Sequence, residues 1–454
     1  MKYIKCYLSI LFFLTINNIN SQTKISLNDA ISIAIKNNTI LNQAKNNILT
    51  QESSLKSAYG NLFPSISVQG SWSWERNQQA GSTRFFNGIP FFIPPITTES
   101  RGFFAGLNSD VILFDGLANL ENINLNRNNL SSIKLNYEYL KQQVALNTMV
   151  KYYMFMTQKE LLKVREENLK KQRINFQMIE ERNRLGAATL ADLYQQQVEL
   201  GNAELQLINQ TLEVEKSKND LLIFLGLDIT EDYIIEDTSL VNINLDDFEV
   251  FEKDFSNLQS KISDAYNNRL DYKSKLFELK STLNSINIAN AGHFPTLFGS
   301  LSFSSFSNNF DDLFDSKSIS AGLRINIPIF SNFNISNRVQ IAEVQSMNKK
   351  LELNELERKI KQEITQTYNS LLAAKKSYTL SRNNIKAAEE RLKIEQEKYN
   401  LGSGRLLDLQ IANTAFVVAQ TDFVNSQYNY LITSQQIKFY LGILDLSKFD
   451  VKGD

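Results

Sequence analysis

The chain has 454 residues, 43% hydrophobic and 21% charged, with 48 Lys and Arg against 49 Asp and Glu. That near-neutral balance argues against nucleic acid as a partner. One histidine and one cysteine leave no disulfide framework and no histidine-based or cysteine-based metal cluster, so no cofactor is expected.

The first residues set the compartment. Met1 to Lys5 carries two lysines, Tyr7 to Ile16 is a short apolar run, and small polar residues follow around Asn20 and Ser21. This is the layout of a cleavable secretory signal over residues 1–21. Cys6 precedes the apolar run, so the mature chain has no thiol, and loss of Lys2 and Lys5 leaves 46 basic against 49 acidic groups. No later stretch approaches the roughly 18 to 20 apolar residues of a transmembrane helix, so any passage through a membrane is by strands.

Length alone suggests about three domains of roughly 150 residues, but an internal repeat overrules that count. A shift of 216 residues lays Leu113, Phe114 on Ile329, Phe330 and Leu225, Gly226, Leu227 on Leu441, Gly442, Ile443. The same shift lays Glu181, Arg182, Leu185, Gly186, Leu190, Asp192, Leu193 on Glu397, Lys398, Leu401, Gly402, Leu406, Asp408, Leu409. Phe63, Pro64 match Phe294, Pro295 at a shift of 231, so the first copy carries 15 more residues (231 less 216), assigned to a loop around Gly81 to Pro95. The chain thus divides into a first repeat over 22–226, a linker over 227–256, a second repeat over 257–443 and a tail over 444–454.

In chain order, a helix is expected from Leu27 to Leu62, then a strand window over about 64–114. All six prolines and both tryptophans fall in this window or in its counterpart at about 295–330. Ile66, Val68, Gly70, Trp72 and Trp74 alternate with serines and Gln69, and Phe103, Ala105, Leu107, Val111 and Leu113 repeat the period of two. Between Gly116 and Gly186, and between Phe333 and Leu401, there is neither proline nor glycine. Each stretch predicts a helix on the order of 100 Å long. Leu130, Ile133, Tyr137, Leu140 and Val144, and later Leu353, Leu356 and Ile360, trace a narrow apolar seam for packing against other helices. Shorter helices follow over Thr189 to Leu225 and Arg405 to Leu441, and another precedes the second window from Leu270 to Gly292. Asp228 to Phe255 is acidic and aperiodic and reads as a surface linker with small local structure.

The second window has Leu297, Leu301 and Phe303 against serines, then Ala321, Leu323, Ile325, Ile327 and Ile329 against Ser320, Arg324 and Asn326. Two hairpins make four strands, too few to close a barrel in lipid, where open edges are not tolerated. Three copies would give 12 strands around a wet lumen lined by serines. The bland alternative is a soluble sandwich. Phe85, Phe86, Phe91, Phe92, Phe310 and Phe314 suit interfacial girdles or loop cores.

Secretory signal, duplicated hairpin plus long helix, Phe-Pro before each strand window, Leu113 to Gly116, and the duplicated turns at Leu185 to Leu193 and Leu401 to Leu409 together resemble the TolC-like outer membrane efflux proteins. The resemblance covers about Ser26 to Gly442. It implies a mainly α fold with a membrane β-barrel portion: a homotrimer whose 12-stranded barrel continues into a periplasmic α-helical coiled-coil tunnel. It implies location in the outer membrane of a Gram-negative bacterium, with most of the chain in the periplasm and strands against outer-membrane lipid. The implied partners are a periplasmic adaptor (membrane fusion) protein and an inner-membrane RND or ABC-type transporter. The implied role is the passive exit duct of a tripartite efflux pump or type I secretion system. The competing class is a structural or adhesive coiled-coil envelope protein without channel activity.

By position, Asp408 matches a pore-facing family aspartate, Asp192 is its counterpart in the first repeat, and Tyr399 matches a gating tyrosine. Ile411 stands where the best-known member has a second aspartate, and Gly404 where it has the gate arginine, with Arg405 displaced by one. Asp408, Asp192, Tyr399, Arg405 and Arg184 are the pore or gate candidates; Leu185, Gly186, Leu401 and Gly402 are the adaptor-contact candidates. Thr189 and Asp192 also have the spacing of a helix cap, and Gly186 and Gly402 read as helix-ending glycines. His293 reads as packing or surface, and the pairs Glu166, Glu167 and Glu389, Glu390 as solvated faces rather than acid-base machinery. No enzyme is expected.

Overall fold

A computed structural model describes residues 23–236 and 258–447. The expected signal, and residues 237–256 of the expected linker, lie outside the described residues. In chain order the elements are β1 (Thr23–Ile25), α1 (Leu27–Asn37), α2 (Thr39–Gly60), β2 (Ser65–Gln79), β3 (Ser82–Phe86), β4 (Ile89–Ile93) and β5 (Ile96–Phe114). Then come α3 (Ala118–Arg184), α4 (Leu190–Leu225), β6 (Tyr233–Ile235), α5 (Leu258–Asn268), α6 (Leu270–Ala291), β7 (Thr296–Ser307), β8 (Lys317–Asn326), α7 (Asn334–Asn400) and α8 (Leu406–Tyr440).

The repeat holds element by element. α1 and α2, of 11 and 22 residues, recur 231 positions later as α5 and α6 with the same lengths. α3 recurs 216 positions later as α7, and both have 67 residues. With no glycine or proline to interrupt it, each is a single helix about 100 Å long.

The helix expected from Leu27 to Leu62 is in fact two. Asn38 is extended (φ −61, ψ 122) and its side chain accepts hydrogen bonds from the N–H groups of Ile40 and Leu41, so it ends α1 and caps α2. At the corresponding break in the second repeat stands Arg269, 3% exposed, with Nε and Nη2 on Asp271 at 3.0 and 2.7 Å and Nη1 on Glu363 at 2.7 Å. Burial works to lower the Arg269 pKa, but the hydrogen bonds and charges of Asp271 and Glu363 outweigh it and raise it. The helix closing each repeat ends against these breaks: a Cβ on Gly226 would lie 3.1 Å from Asn37, and one on Gly442 2.9 Å from the Arg269 nitrogen. Asp228 to Ile235 is not wholly a surface linker, because β6 pairs in parallel with β1 and Ile235 is buried beside Ile25, Ile31, Tyr152 and Leu222.

The main sheet has four antiparallel strands in the order β2-β5-β7-β8. Its two hairpins share one register, since Ser65 faces Asp110 and Thr296 faces Asn326, the same pair moved by 231 and 216. Pairing places Val68, Leu107, Phe303 and Ile319 in one row and Ser67, Asn108, Ser302 and Ser320 in the next. Side chains alternate across a sheet, so the first row lies on an apolar face and the second on a polar one. Among the described residues nothing covers the outer strands of the apolar face: Val68 is 81% exposed and Ile319 75%. The 15 extra residues of the first copy are not a plain loop but a second hairpin, β3 with β4, turned through Asn87 and Gly88 at φ 48 and 82.

Each long helix leaves the sheet through two consecutive left-handed residues, Gly116 and Leu117 (φ 69 and 72) in the first repeat, Asn332 and Phe333 (φ 51 and 62) in the second. Gly116 is required twice over, because a Cβ there would also sit 2.8 Å from the Ala291 carbonyl. Asp115 accepts from the Asn119 N–H and closes the first turn of α3. Along the rods, α3 packs on α4, α2, α6 and α8, and α7 on α8 and α6. Of the expected seam, Val144, Leu353 and Ile360 are buried, while Leu130, Ile133, Tyr137, Leu140 and Leu356 are half-buried.

Candidate gate at the helical tip

At the end of each rod remote from the sheet the chain reverses through a glycine. Gly186 (φ 74) and Gly402 (φ 77) occupy the left-handed position just after the helix. Ala187 N–H reaches the Arg182 carbonyl at 2.7 Å and Ser403 N–H the Lys398 carbonyl at 3.0 Å, the six-to-one bond that satisfies the last carbonyls. The preceding leucines point outward, Leu185 69% and Leu401 84% exposed. The two turns sit side by side because Ile179, Tyr399, Leu406 and Leu409 form a small buried core with Leu193 and Leu392 packed on it.

The five gate candidates separate into four arrangements. Asp192 accepts from the Thr189 N–H at 3.1 Å and Oγ1 at 2.7 Å, while Thr189 Oγ1 accepts from the Asp192 N–H, a complete capping box at the start of α4. Arg405, at the equivalent place before α8, makes no cap and instead holds Asp408 by two bonds, Nε to Oδ2 at 2.9 Å and Nη2 to Oδ1 at 3.0 Å. That bond first, and the nearby charges of Arg405, Lys398 and Arg391 with it, keep the Asp408 carboxyl below its ordinary range. Arg184 pairs with Glu181 on its own helix; both are exposed, and the Arg184 bond holds Glu181 low.

Tyr399 is buried, and the residue that covers it is one that sequence reasoning passed over. The Arg182 guanidinium lies 4.7 Å from the Tyr399 ring centre, and its Nη1 donates to the Tyr399 carbonyl at 3.4 Å. The signal was available: the repeat puts Lys398 opposite Arg182 and Asn183 opposite Tyr399, so only one of the two turns carries the planar cation and the ring. Gly404 has an equally physical reason. A Cβ there would lie 2.9 Å from the Tyr399 nitrogen and 3.0 Å from the Lys398 Cβ, so no side chain fits and the arginine stands one place on, at 405.

His293 is exposed, as are Glu166, Glu167, Glu389 and Glu390, with Lys393 bridging the last two at 3.4 and 2.9 Å. No group of His, Cys, Asp and Glu among the described residues is placed to hold a metal ion. No helix among them is long and apolar enough to cross a membrane.

The outer membrane efflux protein family matches this chain over residues 30–227 and 261–443, one span for each repeat. The chain belongs to that family. It is therefore an outer-membrane protein with a large periplasmic portion, from a family of efflux ducts rather than enzymes. It is 20% identical over 414 residues to the outer membrane efflux protein BepC of Brucella suis biovar 1, covering 90% of this chain and 83% of that protein. It is 25% identical over 124 residues to the outer membrane protein TolC of Escherichia coli, a match spanning 27% of this chain and only 25% of TolC. The outer membrane channel CmeC of Campylobacter jejuni superposes with a TM-score of 0.77 at 20% identity, covering 93% of this chain and 88% of CmeC.

Proposed function

We propose that three copies of this efflux-family protein close into one 12-stranded barrel whose lumen continues down a tunnel of helices. On this reading the duct carries out what an inner-membrane RND or ABC-type transporter delivers through a periplasmic adaptor, in a tripartite pump or a type I secretion system. The observation that carries it is the sheet itself. Among the described residues its apolar face is bare and its outer strands, β2 and β8, each have one edge without a partner. In hydrocarbon such edges leave backbone groups unsatisfied at several kcal/mol each, so closure has to come from further copies. The lumen face is a field of small hydroxyls, with Ser302 and Ser320 hydrogen bonded at 2.6 Å, which suits water and does not select cargo. The exposed turns at Leu185, Gly186, Leu401 and Gly402 form the surface offered to the adaptor. The test is a detergent extract run unheated and heated, followed by planar-bilayer recording. A heat-sensitive trimer with ion conductance supports the duct; a monomer without conductance removes it.

A further inference from the structure

The hydroxyl field of the polar face is broken at one row. Ser71 of β2, Phe104 of β5 and Phe306 of β7 face one another across the sheet, and the next row on this face toward the helices is Gln69, Gly106, Ser304 and Ser318. The two rings do not stand up from the wall. A Cβ on Gly106 would lie 2.9 Å from Phe104 Cζ and 3.1 Å from Cε1, and one on Gly102 would lie 3.0 Å from Phe306 Cε2 and 3.2 Å from Cζ. Each ring therefore leans along the sheet and rests its tip where a glycine has no side chain, Phe104 toward the helices and Phe306 away from them. Both glycines are buried, while Phe306 stays 57% exposed. Glycine inside a strand weakens it and marks a close approach; here what approaches is an aromatic ring.

We propose that Phe104 and Phe306 form a binding site for organic cations on the inner wall of the barrel, level with the outer lipid interface. The site rests on the barrel reading above, which makes the polar face the lumen, and it adds a ligand class to that lumen. A ring that lies down turns its face rather than its edge to the lumen, and the face of an aromatic ring is its negative side. Charge on the same wall has the matching sign. Along β2 and β5 the next charged residues on this face are both acidic, Glu75 four positions out from Ser71 and Asp110 six positions in from Phe104. Arg324, the cation of this face, lies one row beyond Asp110, opposite Phe298. The level follows from the other side of the sheet, where Phe103 faces Trp72, the aromatic belt by which a barrel strand meets the lipid headgroups.

The low rings pave the wall and do not plug it. A strongly hydrated inorganic cation keeps its water and passes, whereas a quaternary ammonium gains both the ring faces and an apolar floor. One exposed ring holds a cation about two- to fivefold more tightly, and a pair about five- to thirtyfold. That is enough to retard an organic cation and too little to exclude other solutes.

The test is a saturation-transfer NMR titration of benzyltrimethylammonium against the full mature chain in lipid nanodiscs, with benzenesulfonate as the anionic control and planar-bilayer conductance to show that each variant forms a channel. Phe104→Leu with Phe306→Leu keeps apolar bulk and removes the ring faces, and is expected to raise the dissociation constant about five- to thirtyfold with conductance unchanged. Phe306→Trp is expected to lower it about twofold, because indole is the strongest cation-holding ring. Benzenesulfonate is expected to bind at least about tenfold more weakly than the cation. Should the double variant not conduct, Phe104→Leu and Phe306→Leu alone are each expected to weaken binding about two- to fivefold. A conducting double variant that binds the cation as the wild type does overturns the site and leaves the duct standing. Benzenesulfonate binding as tightly as the cation, and weakened by the same variants, overturns the ligand class. A wild-type chain that forms no channel removes the duct and the lumen site with it.

Discussion

The Arg182 guanidinium of the first repeat lies 4.7 Å over the ring of Tyr399 in the second and donates to its carbonyl, joining the ends of α3 and α7. A cation over a tyrosine ring contributes about 0.5 to 2 kcal/mol, more as water is excluded, and Tyr399 is buried. Arg182→Ala is therefore expected to loosen the tip by about 1 kcal/mol, roughly fivefold in the ratio of closed to open forms. Arg182→Lys should recover only part, because an ammonium cannot lie flat on the ring. Single-channel recording checks this: mean conductance or open probability should rise in the order wild type, Arg182→Lys, Arg182→Ala.

Arg405 and Asp408 neutralise each other, and on the proposed reading they stand at the entrance to the duct. Removing either unmasks the other, so Arg405→Ala should shift selectivity toward cations and Asp408→Ala toward anions. Reversal potentials in a salt gradient read both, and an unchanged potential in either variant would place the pair away from the pore. The pH dependence follows from the lowered Asp408 carboxyl. A group whose pKa is depressed in the folded protein contributes above its ordinary value of 3.8, and the contribution is lost only as pH falls through the lower folded value. The wild-type potential should therefore hold steady down to pH 4, whereas in Arg405→Ala the exposed carboxyl titrates near its ordinary value and cation preference fades from about pH 5 downward.

Much of this architecture was legible because it rests on absences that a sequence displays directly. A 67-residue helix needs no glycine or proline across its length, and the period of two in the strand windows needs no partner to be seen. What stayed hidden was decided by single residues against their surroundings. The break at Asn38 is a side chain capping its own backbone inside an otherwise helical pattern. The β3 and β4 hairpin announced itself through Asn87 and Gly88, but Pro90, Pro94 and Pro95 just after them read as loop. At the tip, Thr189 and Asp192 were readable because a capping box has a fixed spacing, whereas Arg182 meets Tyr399 only after 217 residues of chain have folded back.

Two glycines of the tip turns, Gly186 and Gly404, should respond differently to one methyl group. Gly186 has a left-handed φ but open space around its Cβ position, so Gly186→Ala is expected to cost about 1 kcal/mol of conformational strain. Gly404 faces backbone at 2.9 Å, which cannot yield as a flexible side chain would, so Gly404→Ala should cost about 1 to 3 kcal/mol and shift the turn under Tyr399. Thermal unfolding of the detergent-solubilised protein should rank wild type, Gly186→Ala and Gly404→Ala in falling order. Gly404→Ala should also change conductance if Tyr399, whose backbone it meets, is part of a gate; an unchanged conductance would remove Tyr399 from that role.

Arg269 is a buried charge at the joint of the second repeat. Its side chain is 3% exposed and is bonded to two carboxylates, Asp271 at 15% and Glu363 at 21%. Removing a buried cation leaves its partners desolvated and unpaired, which costs about 3 to 5 kcal/mol, far more than the pair contributes over an apolar replacement. Arg269→Ala should therefore lower the unfolding temperature sharply. Adding Asp271→Asn and Glu363→Gln should restore much of the loss, because the uncompensated charge is then gone. The first repeat carries Asn38 at the same break and meets no such penalty, so Asn38→Ala should cost only a cap, about 0.5 to 2 kcal/mol. Equal losses from Asn38→Ala and Arg269→Ala, with no rescue in the triple variant, would mean that the backbone break rather than the buried charge sets the stability of this joint.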